Sequence, residues 1–393
     1  MIIPATATAA DWPNWMGPNL NGISTESVPT DWPDDGLPTV WSVDIGIGFS
    51  SVSIVDGRLY TMGHRNGEET IWCLNADDGS TIWTHSYPAE LNDNLYEGGP
   101  GATPTVHQQQ IFCLSIDGRL TCLDRRTGKL IWEVMLQDEL DVGLHEWGFD
   151  SSPLVLDDQI IVQGGRVAAF NRHTGKKIWQ SPKHAAGYGA VRSFRNGGRQ
   201  LLASLDCDGL RITDPADGTT VAFAEWKSPF GTNSTTPIIR GDLIFISTGY
   251  NVGCGLFRLN GSELVLVYTS KRMRNHFNNS ILLDGHLYGM DGNSNLGRVV
   301  TLTCMEFETG DVLWKQRGLG CGSLMVADDH LLILSEDGDL VLAEANPTEY
   351  TEVARSSFLN GRCWTVPVLL NGRVYGRNAA GDLKSVSLPR PGN

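Results

Sequence analysis

The chain has 393 residues, 45 of them glycine, only 19% charged, with a formal net charge of −15. That charge disfavours a phosphate backbone, which needs clustered lysine and arginine, so no nucleic-acid partner is expected. No apolar run is long enough for a transmembrane helix. The eight cysteines include no C-x-x-C pair, so no zinc or other metal site is expected.

The first ten residues, MIIPATATAA, end in small residues like the tail of an export signal. They are too short for a complete one and lack a basic start. The expectation is a periplasmic or secreted protein whose export signal is incomplete in this chain. Residues 1–35 read as an N-terminal arm and 36–393 as one domain.

From there the chain repeats. CLNADDGSTIW (73–83), CLDRRTGKLIW (122–132), AFNRHTGKKIW (169–179) and CMEFETGDVLW (304–314) are copies of one phrase, with weaker copies at 212–223 and 257–268. The glycines Gly79, Gly128, Gly175, Gly218, Gly261 and Gly310 recur every 43 to 49 residues. A period in the forties with turn signals and no helical pattern predicts an all-β fold, a β-propeller. In the clearest copy, strands begin at Thr103, Gln110, Arg119 and Lys129, joined by Asp-Gly and Thr-Gly turns. Eight such units can be counted. The last lacks its outer strand, and Leu37–Val43 at the other end of the chain can supply it, with Trp41 in the place of Trp132. Closure of the eighth blade by this N-terminal strand is therefore predicted, because it removes exposed edges.

Two local expectations follow from the repeat. Trp83, Trp132, Trp179 and Trp314 should pack between adjacent blades, since a regularly repeated aromatic is a packing residue. Around Asp117-Gly118, Cys113 and Cys122 count as directly opposite, which admits either a disulfide or two facing buried thiols.

With these phrases in view, residues 36–393 resemble the PQQ-like (quinoprotein-type) propeller repeat with its tryptophan-docking motif. The leader Trp12-Pro13-Asn14-Trp15-Met16-Gly17-Pro18 and the segment Trp364-Thr365-Val366-Pro367 resemble those of a bacterial exported subgroup. That family includes quinoprotein alcohol dehydrogenases and the propeller lipoprotein of the outer-membrane β-barrel assembly machinery, a protein-binding scaffold. The dehydrogenases hold PQQ against two adjacent, disulfide-linked cysteines and use Ca²⁺ bound by Glu, Asn and Asp oxygens. This chain has no adjacent cysteines. The resemblance thus implies a non-catalytic binding or scaffolding module without cofactor. The alternative is an oxidoreductase using PQQ and Ca²⁺.

Aligning the units places a ring of residues at one end of the central channel that does not repeat: Glu97, Trp147, Asp150, Tyr188, Arg192, Asn233, His276, Asn278, Arg362 and Trp364. Structural duty produces repetition, so the variable ring is the candidate site for a ligand or protein partner. The partner class expected is an unknown protein or small ligand of the cell envelope, bound by a monomer. No catalytic residue is expected, because the chain carries no G-x-S-x-G, H-E-x-x-H or P-loop motif.

Overall fold

The computed structural model describes residues 11–294 and 299–389. The export-signal reading of residues 1–10 lies outside them. Eight antiparallel sheets succeed one another along the chain. Blades 1 to 7 span 53–88, 105–135, 154–180, 192–225, 238–270, 281–316 and 323–357. Blade 8 takes three strands from 368–387 and its outer strand, Thr39–Asp44, from the start of the chain. Trp41 pairs with Ser385 there, so the ring closes as the missing strand predicts.

Neighbouring blades are fastened by the repeated phrase. The side-chain oxygen of Asp124 accepts from the Arg126 and Thr127 amides and the Thr127 hydroxyl, and Asn171 does the same one blade on. The glycine that follows has positive φ, 71° at Gly128, which glycine adopts without steric cost. A Cβ at Gly128 would lie 2.6 Å from the ring of Trp83, so the glycine also makes room for the preceding blade's indole. That indole donates onward: Trp41 to Ala76 O, Trp83 to Arg125 O, Trp132 to Arg172 O, Trp179 to Pro215 O and Trp314 to Asn346 O. Tyr268 substitutes its hydroxyl, donating to Phe307 O. Blades 4 and 7 place Ala222 and Ala354 at this position. In every blade a register shift in the outer strand pair falls beside it. Such a bulge turns the side chain out of the regular pleat.

An inner ring of hydroxyls and amides works the same way. Ser51 N donates to Thr103 Oγ1, Thr103 N to Ser152 Oγ, and Thr236 N to Asn279 Oδ1. Where the chain ends meet, the fully buried Arg377 donates to Met62 O, Gly46 O and Ser50 O at 2.6, 2.8 and 3.3 Å. Carbonyls of blade 1 and of the segment entering it thereby hold a guanidinium of blade 8.

The arm is built into this ring. Trp12 bridges to Ile54 of blade 1, and Pro13 O accepts from Val106 N of blade 2. Asn19 O accepts from Arg192 of blade 4, and Gly22 O from Val326 N of blade 7. Ile23–Ser24 then pairs in parallel with Ser323–Ala327. Three residues span ~10 Å at most, so between Asn19 and Gly22 the arm crosses the channel.

The cysteine expectation fails on register. Ser115 N bonds Arg119 O and Gly118 sits at φ 91°. The hairpin therefore has a three-residue loop ending in a left-handed glycine, not a two-residue turn. This moves the pairing by one: Phe112 faces Cys122 and Cys113 faces Thr121. The two thiols fall on opposite faces of the blade, each free and buried.

Candidate functional site

The segments leading into the inner strands converge on a central cavity of about 250 Å³. Small-molecule sites run about 300–1,000 Å³, so this one has room for a compact group. Its wall is a succession of rings. Centroid separations are 6.1 Å for Trp147–Tyr96, 5.6 Å for Tyr96–Phe49, 5.2 Å for Phe49–Trp364 and 4.3 Å for Trp364–Phe277. The series continues through His276 and Tyr250, at 4.8 and 5.0 Å. Leu95 and Phe230, 77% and 59% exposed, extend the apolar surface outward.

Charge is placed sparingly. Asp150 faces the cavity, and among the described residues its Oδ1 makes no close hydrogen bond, the Gly101 amide alone acting on the carboxyl. Any side chain at Gly101 would collide with that carboxyl, so glycine is what gives Asp150 its space. Burial pushes the carboxyl up to about 7, against a smaller pull from the Gly101 amide. Glu336 also lines the cavity and is held by Trp364 Nε1 at 2.9 Å and Cys321 N at 2.8 Å. Arg362 pairs with Glu97 at 2.7 Å and lies 4.5 Å from the Trp364 ring centroid. His276 receives a contact from Tyr250 at 3.1 Å through Nε2, and burial depresses its pKa to about 4, which keeps it neutral.

Of the ten residues in the variable ring, Trp147, Asp150, Tyr188, His276, Asn278, Arg362 and Trp364 line this cavity, and Glu97 stands beside them through Arg362. Two do not. Asn233 is buried in the loop preceding blade 5, donating to Asp206 O and Trp226 O and accepting from Thr248. Arg192 lies on the inner strand itself and donates to Asn19 O of the arm. Blade 4's inner strand starts at Arg192, so a residue counted as mouth sits inside the channel. Trp15, Tyr250 and Glu336 were not found from the sequence. Trp15 comes from the arm, outside any repeat. Glu336 had a signal: it occupies a Ser-Glu-Asp-Gly turn equivalent to the Ser-Ile-Asp-Gly turn at 115–118.

Ring and cavity define an eight-bladed propeller with a closed seam and an aromatic central site. A family model described as outer membrane protein assembly factor BamB matches residues 67–316. The chain belongs to that family, and its repeats are of the PQQ-like kind. No curated protein matches it. Among solved structures, BamB from Moraxella catarrhalis is 16% identical with a TM-score of 0.63, over 91% of this chain and 99% of that one. Quinohemoprotein alcohol dehydrogenase from Comamonas testosteroni is 12% identical with a TM-score of 0.74, over 99% and 83%. The computationally designed protein Ika8 is 10% identical with a TM-score of 0.61, over 90% and 100%. Likenesses this distant establish the fold alone. No helix among the described residues is long and apolar enough to cross a membrane.

Proposed function

We propose that this protein is a non-catalytic binding or scaffolding propeller of the cell envelope, periplasmic or secreted, which holds a protein or small ligand at the mouth of its central cavity. The observation that carries this reading is the uneven use of aromatics. Those of the outer ring are spent on the next blade, whereas those of the mouth contact one another and leave a cavity between them. A patch of this kind, rimmed by exposed Leu95 and Phe230, is the usual mark of an interaction site. The family's description as an outer-membrane assembly factor agrees with an envelope partner.

The quinone-dependent alternative fits the residues poorly. Cys321 and Cys363 are buried in the approaches to different blades and are not adjacent in sequence. No group of three or more His, Cys, Asp or Glu among the described residues is arranged to hold an ion. No oxidation step is therefore assigned.

Photo-crosslinkers placed at Leu95 and Phe230, and for contrast at the exposed outer-strand positions Ile82 and Leu313, test the reading in native envelopes. Adducts are expected from the mouth positions. Adducts from the outer strands alone would overturn it, as would PQQ-dependent dye reduction by the protein supplied with PQQ and Ca²⁺.

A further inference from the structure

The cavity is negatively charged as well as aromatic. Asp150 and Glu336 both line it. Among the described residues, the only arginine of its wall, Arg362, is already paired with Glu97 and lies over Trp364, and His276 is neutral. Three classes of occupant can be compared. An anion would meet two carboxylates and, among the described residues, no unpaired cation. A neutral apolar group would match the rings but leave the buried Asp150 carboxyl with no cation to balance its charge. An organic cation satisfies both features, because ring faces attract positive charge, more strongly where water is excluded.

We propose that the central cavity binds an organic cation, an alkylammonium or guanidinium group, against the Trp147–Tyr96–Phe49–Trp364–Phe277 wall with Asp150 as its counter-ion. The proposal rests on the reading of the mouth as a binding site and names the chemistry of what binds there. A free quaternary ammonium and the lysine side chain of a partner share that chemistry. Asp150 must be ionised to serve. Asp150 acts electrostatically on Glu69, Tyr96 and Tyr188, none of them cationic. Binding therefore tightens as pH rises through about 7.

The test uses choline, its uncharged isostere 3,3-dimethylbutan-1-ol, benzoate and the peptide acetyl-Gly-Lys-Gly-amide, titrated by calorimetry against the whole protein. Choline or the peptide is expected to bind at least about tenfold more tightly than the alcohol, and whichever of the two is preferred identifies the source of the cation. Asp150→Asn should abolish that discrimination without changing the weak binding of the alcohol, in a protein that stays folded and monomeric. Trp147→Leu should weaken both. Equal affinity for choline and the alcohol, preference for benzoate, or no cation binding at millimolar concentration would each overturn the proposal. Cross-links from Leu95 and Phe230 would persist in those cases if the mouth is still a binding site, and be lost if it is not.

Discussion

The outer ring and the mouth of this propeller use the same residue types for opposite ends. At the outer ring tryptophan recurs in five of the eight blades: Trp41, Trp83, Trp132 and Trp179 stand over the next blade's glycine, and these and Trp314 donate to the next blade's turn carbonyl. At the mouth residue identity changes from blade to blade. Phe49, Phe277 and Trp364 each stand four residues before their inner strand, whereas Trp147, Tyr96, His276 and Tyr250 come from other offsets, yet the rings form one contiguous series. A side chain that completes a seam must fit the same gap each time, so it recurs. A side chain that faces a cavity is free of that constraint, and its identity can follow whatever the cavity holds.

The largest effect should come from the seam. Removing residues 11–44 takes away the outer strand of blade 8 and the indole over Gly79, and exposes the edge of Asp382–Ser387. An open edge of this length templates aggregation. Size-exclusion chromatography should show no monomeric truncated protein. A soluble monomer with unchanged Tm would mean that the ring does not depend on this strand.

The paired substitutions Trp132→Ala and Trp364→Ala sharpen the contrast further. Loss of Trp132, buried and bonded across blades, should cost about 3–5 kcal/mol in urea unfolding and leave choline or peptide binding unchanged. Loss of Trp364 should cost less, about 1–2 kcal/mol, chiefly from the unpaired Glu336 oxygen, and should abolish binding at the mouth. If both variants lose stability equally and binding survives in both, the division between the two rings is wrong.

What the sequence made legible follows the same division. The eight units, the closing strand and the tryptophans between blades were readable because each is a solution to one repeated packing problem. The bulge beside each of these positions was not, since an extra residue in a strand leaves no compositional trace. The Cys113–Cys122 pairing was misjudged by one residue because an Asp-Gly pair serves two- and three-residue hairpins alike. At the mouth, alignment to the repeat found the ring but not which members face inward. Asn233 turned out to tie loops together, and Arg192 to hold the arm. Trp15 could not be reached by alignment at all.

Arg377 marks the seam as a special joint among the inner strands. Replacing it with methionine keeps volume but leaves the Met62, Gly46 and Ser50 carbonyls short of a donor, at about 1–3 kcal/mol for the group left unsatisfied. Lysine should restore only part of this, because a point charge cannot reach three carbonyls with a planar fork. Full stability in the methionine variant would show that backbone pairing alone closes the ring.

The smallest effect separates a wall carboxylate from a cavity carboxylate. Glu69 is fully buried, with its oxygens taking the Tyr87 hydroxyl at 3.1 Å and the Ile116 amide at 3.3 Å. Burial pushes its carboxyl up to about 8, as it pushes Asp150 up to about 7. A carboxyl that holds its proton more tightly when folded gives it up on unfolding, so stability falls as pH rises between about 4.5 and 8. Glu69→Gln imitates the protonated form. It should match the parent near pH 4 and exceed it near pH 8, the gap widening by at most about 1.4 kcal/mol per pH unit. Repulsion from the net charge of −15 destabilises both proteins and nearly cancels in the difference. Asp150→Asn should show the same sign over a window ending near pH 7. Only there should saturating choline close the gap, because a cation in the cavity can compensate Asp150 directly and has no access to Glu69. A gap that choline leaves open at both positions would place the cation elsewhere. A gap that never opens for Glu69→Gln would mean that this carboxylate is ionised in the folded wall.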